Sequence, residues 1–154
     1  MKLRIILSAL CILSSGTGYA NSSQQEKINF VKKVYENQLN EDLMDIDVLK
    51  LHASKELRLL IQKRDAIADR NEGNMCEWVR QVLIPGNDND VRANKIKYSA
   101  LPNGRVRAQA KNFGKSFQVD FDVKCDTQGC IITDVYDPRS YKKELMTIVK
   151  NAAC

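Results

Sequence analysis

The run from Ser116 to Val123 alternates without a break, with Phe117, Val119, Phe121 and Val123 apolar and Ser116, Gln118, Asp120 and Asp122 polar. A period of two puts the two sets on opposite faces of a pleated strand, one buried and one wet. Beyond Gly129, the stretch Ile131-Ile132-Thr133-Asp134-Val135-Tyr136 is rich in β-branched and aromatic residues. Asp126-Thr127-Gln128-Gly129 therefore reads as the loop of a hairpin. Cys125 and Cys130 then face each other across it. Directly opposed residues of an antiparallel pair have Cβ atoms about 4.5–5.5 Å apart, a short step from the ~3.8 Å of a disulfide.

The same period extends upstream. Ile96, Tyr98 and Ala100 alternate with Lys95, Lys97 and Ser99, and Asn103-Gly104 is a strong signal for a tight hairpin. Val106, Ala108 and Ala110 then point one way and Arg105, Arg107, Gln109 and Lys111 the other, until Asn112-Phe113-Gly114 turns the chain. Cys76 to Ile84 is ambiguous between a strand and a short helix; we read it as a strand, stopped by Pro85-Gly86-Asn87-Asp88. The result is an antiparallel meander of about four to five strands.

Helical spacing marks the flanks. Ser23-Gln24-Gln25-Glu26 has the form of a capping box opening a helix with Ile28, Val31, Val34, Tyr35 and Leu39 on its apolar side. A second helix is predicted from about Ser54 to Arg70, with Leu57, Leu60, Ile61, Arg64 and Ala68 along one side. After Asp137-Pro138, Ser140 caps a last helix striped by Leu145, Met146, Ile148 and Val149. A sheet with one apolar face must cover it, and these amphipathic helices are the material at hand. The predicted class is α+β, with N-terminal helices and a C-terminal helix on a curved sheet.

Tyr35 among the N-terminal helices, the stretch "ASKELRLLI" and above all the ending "CIITDVYDPRSYKKEL" resemble small exported bacterial domains of uncharacterised function that share the nuclear-transport-factor-two-like, or cystatin-like, cone. The resemblance spans most of residues 25 to 150. It implies a curved sheet wrapped on its helices, sometimes enclosing a pocket, in a fold that hosts both enzymes and binding modules.

Lys2 and Arg4 precede an apolar run from Ile5 to Leu13, and Gly18-Tyr19-Ala20 offers small residues where a signal peptidase cuts. Residues 1–20 read as a signal peptide and 21–154 as one exported, periplasmic domain. Cys11 does not read as a lipid anchor, because Leu10 stands where a small residue is required. No later segment approaches the ~20 apolar residues of a membrane helix, so stable membrane insertion is not expected. Cleavage leaves four cysteines, Cys76, Cys125, Cys130 and Cys154. In an exported chain an even number reads first as disulfides, with three pairings open. If Cys125 joins Cys130, Cys76 is left for Cys154. A CxxxxC spacing with the single histidine, His52, far away suits neither zinc nor a redox centre. No metal or other cofactor is predicted.

The chain has 24 basic and 19 acidic residues, and the leader takes Lys2 and Arg4 with it. The signs are mixed along the chain, as in Lys55-Glu56 and Arg64-Asp65, rather than gathered into a basic stripe with aromatics, which argues against a nucleic-acid partner. Enzymatic cones place a His/Asp or Tyr/Asp pair inside. Here His52 falls in a polar stretch read as surface helix or loop, Asp120 and Asp122 on the wet face, and Asp134 and Asp137 near a strand end as turn or cap residues. The chain is therefore read as non-catalytic. Trp78, beside Val79 and Val82, reads as core.

The expected function is a periplasmic module that binds or inhibits another protein of the cell envelope, for example as an immunity protein or an inhibitor of an envelope-acting toxin or enzyme. Asp126, Thr127 and Gln128 at the closed tip are candidate contacts, since a constrained loop loses little further entropy on binding. The CxxxxC tip is similar to the protruding loop of periplasmic lysozyme inhibitors, but that loop carries a histidine, so the same target does not follow. Lys95, Lys97, Arg105, Arg107 and Lys111 share a strand face with Asp120 and Asp122, either as cross-strand ion pairs or as a cationic docking face, which makes Arg105 and Arg107 further candidates. The alternative is a small-ligand carrier whose interior is lined by Phe117, Val119 and Phe121. A homodimer through the open sheet face stands third.

Overall fold

The computed structural model describes residues 18–41, 43–70, 81–86 and 88–153. Three helices come first: α1 (Gly18–Glu41), α2 (Asp45–His52) and α3 (Lys55–Arg70). The strands β1 (Lys97–Ala100), β2 (Val106–Asn112), β3 (Lys115–Asp126), β4 (Gly129–Asp137) and the two-residue β5 (Arg139–Ser140) follow, and α4 (Tyr141–Asn151) closes the chain. The strands form one antiparallel sheet in sequence order, a pure meander. The class is α+β, as the alternation required.

Period two is obeyed strand by strand. Val106 and Ala108 of β2 and Val119, Phe121 and Val123 of β3 are buried, while the residues between them are half-buried or exposed. The helices lie on that apolar face. Tyr35 of α1 packs its ring edge-on against Phe121 of β3, with centroids 5.9 Å apart. Val31 and Val34 of α1, Leu49 of α2, Leu57 and Ile61 of α3 and Leu145 of α4 complete the same core. Thr133 is an extra residue in β4, since Asp122 pairs with Asp134 and Val123 with Ile132. Such a bulge bends the strand and raises its local twist.

Local signals account for most boundaries. Ser54 accepts from the Leu57 N–H at 3.2 Å as the N-cap of α3, and its own N–H donates to the Ile132 carbonyl of β4 at 2.8 Å, pinning the α2–α3 junction to the sheet. Ser140 accepts from the Lys143 N–H at 3.0 Å as the N-cap of α4 and donates to Asp134 at 2.5 Å. Asp134 is the cap residue that the sequence suggested: it also accepts the Lys142 N–H at 2.9 Å.

Several details depart from expectation. Met146, read into the apolar stripe of α4, is 50% exposed, and Lys95, read into the first strand, ends a 3-10 turn (Ala93–Lys95) ahead of β1. α1 runs unbroken from Gly18, so Ser23 sits within the helix and does not cap it. α2 had no predicted counterpart as a separate element, and His52 is its last residue, half-buried, with its ring edge against Phe30 at 5.5 Å. Residues 81–84 of the strand expected from Cys76 to Ile84 form no strand, and residues 76–80 lie outside the described residues. The reason is a competing acceptor. Both the Leu83 and Ile84 N–H groups donate to Asp45 Oδ2 at 3.0 Å, and the Leu83 carbonyl accepts from the Tyr35 hydroxyl at 2.8 Å, which takes these groups out of any ladder. Among the described residues, no helix is long and apolar enough to cross a membrane.

Candidate functional site

The β3–β4 tip is built from its register. Pairing continues from Cys125 with Cys130 to Asp126 with Gly129, so the turn proper is Thr127-Gln128, tighter than the four-residue loop expected. Cys125 and Cys130 are joined by a disulfide, with their Cα atoms 4.0 Å apart. Gly129 has φ 126°, which only glycine adopts without strain, and Asp126 Oδ1 accepts from the Gln128 N–H at 2.8 Å. All four residues from Asp126 to Gly129 are exposed. The tip is a small polar turn held from both sides, with its sulfurs half-buried beneath it.

Among the described residues one group of three potential metal donors occurs, Glu26 with Cys125 and Cys130, whose ligand atoms lie within 4.8 Å of one another. Disulfide sulfurs are not thiolates, so the oxidised tip offers one carboxylate and no cage. Cys76 and Cys154, the expected second pair, lie outside the described residues, as does Trp78.

The cationic strand face is divided by its neighbours. Arg107 and Asp120 are register partners, and the guanidinium Nε and Nη2 donate to the two carboxylate oxygens at 2.6 and 2.7 Å. That bidentate bond is the main reason the Arg107 pKa stands above its ordinary value. Arg105 lies over the Tyr136 ring, 3.4 Å from its centroid. Arg105 and Arg107 are thus engaged within the sheet. Arg92, Lys95, Lys97 and Lys111 make no ion pair among the described residues.

Two buried polar side chains inside the fold, Asp45 and Tyr35, serve the backbone of residues 83 and 84. Asp45 takes two N–H groups and the Gln38 amide, and burial pushes its pKa up. His52 lies 3.4 Å from the Asn37 amide, and burial, seconded by Lys33, pushes its pKa down. Tyr35 and Tyr98, 6.1 Å apart, both have phenols pushed well up by burial. Asp134 caps α4, and its register partner across the ladder is Asp122. Fold and site together define an α+β meander protein with a disulfide-closed hairpin tip. No protein-family model, curated protein or solved structure matches the chain.

Proposed function

We propose that this protein is a non-catalytic, exported binding module of the cell envelope, built on a cone of the nuclear-transport-factor-two-like kind, and that it binds or inhibits another protein. The observation that carries this reading is the β3–β4 tip. A turn fixed by a disulfide, the β3–β4 ladder and an aspartate-backed N–H presents Asp126, Thr127 and Gln128 in one conformation. Such preorganisation reduces the ordering cost that a flexible loop would meet on entering a partner's cleft. A protein target is favoured over an enclosed small ligand because Val119 and Phe121 are fully buried under Tyr35 and Leu49, while Phe117, also expected to line an interior, lies half-buried beside an open surface cleft.

The test is capture from envelope extract with wild-type protein and with a Thr127→Arg, Gln128→Arg variant, followed by mass spectrometry of what is retained. A partner retained by wild type and lost by the variant supports the tip as the contact. Equal recovery by both sinks that assignment.

A further inference from the structure

The other end of the sheet carries a second, differently built surface. β2 runs three residues past its pairing with β1, which ends at Lys97 opposite Gln109, and beside Ala110 and Lys111 a cleft of about 790 Å³ opens. Arg92, Lys95, Lys97 and Lys111 line it with the carboxylate Asp90, over a floor that includes Ser116 and Phe117. Asp90 is already engaged, since it accepts from the Phe113 N–H at 2.6 Å. Four cations that have no ion-pair partner among the described residues, around one occupied carboxylate, form a concentrated positive field, while Arg105 and Arg107 nearby are held by Tyr136 and Asp120.

The hairpin end beside the cleft is held against its own backbone preference. The turn Phe113-Gly114 has φ 45° and 79°, so both central residues are left-handed. Asparagine or glycine normally fills the first of these positions, and a phenylalanine there is strained. Its ring is nonetheless 62% exposed. The surroundings over-determine it: Asn112, buried, donates to the Pro85 and Asp88 carbonyls at 3.0 Å and accepts from the Asp90 N–H at 3.1 Å, clamping Pro85, Asp88 and Asp90 to the turn. Phe113 also lines a smaller hollow of about 440 Å³ that shares Ser116 and Phe117 with the cleft. A strained aromatic held out in water next to unneutralised cations has the composition of an interface anchor.

We propose that this end of the sheet docks an acidic, extended segment of a protein partner, with its carboxylates on Arg92, Lys95, Lys97 and Lys111 and an apolar side chain on Phe113. The occupant follows from charge complementarity, from the need for an apolar group opposite the ring, and from the position of the cleft alongside a strand that outruns its neighbour, where an extended chain lies naturally. The surface does not depend on the β3–β4 tip.

The experiment measures fluorescence anisotropy of a fluorescein-labelled peptide alternating glutamate and leucine, with glutamine–leucine and lysine–leucine peptides as controls. The wild-type protein binds the acidic peptide in preference to both controls and weakens as salt rises. Lys95→Glu with Lys111→Glu reduces affinity about tenfold or more, and Phe113→Asn reduces it while leaving the fold intact, because asparagine suits the left-handed position. Thr127→Arg with Gln128→Arg leaves it unchanged, which separates this surface from the tip. The proposal is overturned if the acidic peptide binds no better than the glutamine peptide, if either cleft variant binds as wild type does, or if the tip variant loses binding equally. It is also overturned if phosphatidylglycerol vesicles retain the protein through the same lysines while the peptide does not bind.

Discussion

Asp45 shows what one residue can settle. Its carboxylate satisfies the N–H groups of Leu83 and Ile84, 38 and 39 residues away, in a buried site. Asp45→Ala leaves both donors without an acceptor and is expected to cost about 2–4 kcal/mol in urea denaturation, with Asp45→Asn costing less because an amide oxygen remains. Phe113→Asn runs the other way: a left-handed conformation costs an ordinary L-residue about 1–2 kcal/mol, so relieving it with little burial lost is expected to raise the urea midpoint. His52 is the only histidine. Burial and Lys33 hold its folded pKa below the ordinary 6.5. The unfolded chain then binds the proton more tightly, so the His52 contribution to stability is complete above pH 6.5 and is lost as pH falls through the window beneath it. The imidazole Hε1 resonance is expected to titrate with a midpoint below 6.5; a midpoint above it would show that a carboxylate, not burial, dominates the site.

At the scale of elements, the strands were legible because their signal is local. The alternation of Phe117, Val119, Phe121 and Val123 and the facing Cys125 and Cys130 gave register as well as type, and Ser54 and Ser140 marked two helix starts. α2 and the 81–84 segment were not legible, because their form depends on each other: Val82, Leu83 and Ile84 read as strand until Asp45 takes the N–H groups of Leu83 and Ile84. The candidate surfaces divide likewise. The tip was visible in the CxxxxC spacing, whereas Phe113 passed as a turn residue; its signal was an aromatic just before glycine at a turn centre, which becomes informative only once φ is known. The tip's disulfide closes a loop of few residues, so reduction or a Cys125→Ser, Cys130→Ser change is expected to cost only about 2 kcal/mol in the chain-entropy model and to leave the sheet folded. Far-ultraviolet circular dichroism that collapses on reduction would mean that the bond holds more than the tip.

At the scale of the whole molecule, β3 joins the two candidate surfaces as a rigid spacer. Its residues from Phe117, at the cleft, to Asp126, at the tip, set the surfaces about 30 Å apart at ~3.3 Å per residue. The Debye length at physiological salt is about 8 Å, so charges at one end are screened from those at the other. Between them the polar face is occupied by the Arg107–Asp120 pair and the Arg105–Tyr136 stack, and the apolar face by packed core; neither offers a second arrangement through which one end could bias the other. The ends should therefore act independently. The quadruple variant carrying Lys95→Glu, Lys111→Glu, Thr127→Arg and Gln128→Arg is expected to show a stability change equal to the sum of the two double variants within about 0.5 kcal/mol, as for distant sites with no shared partner. In these variants, binding of the acidic peptide should follow the lysine changes and not the tip changes. A coupling above about 1 kcal/mol in the denaturation cycle would mean that the sheet transmits strain between its ends, and the tip and the cleft would then have to be treated as one site.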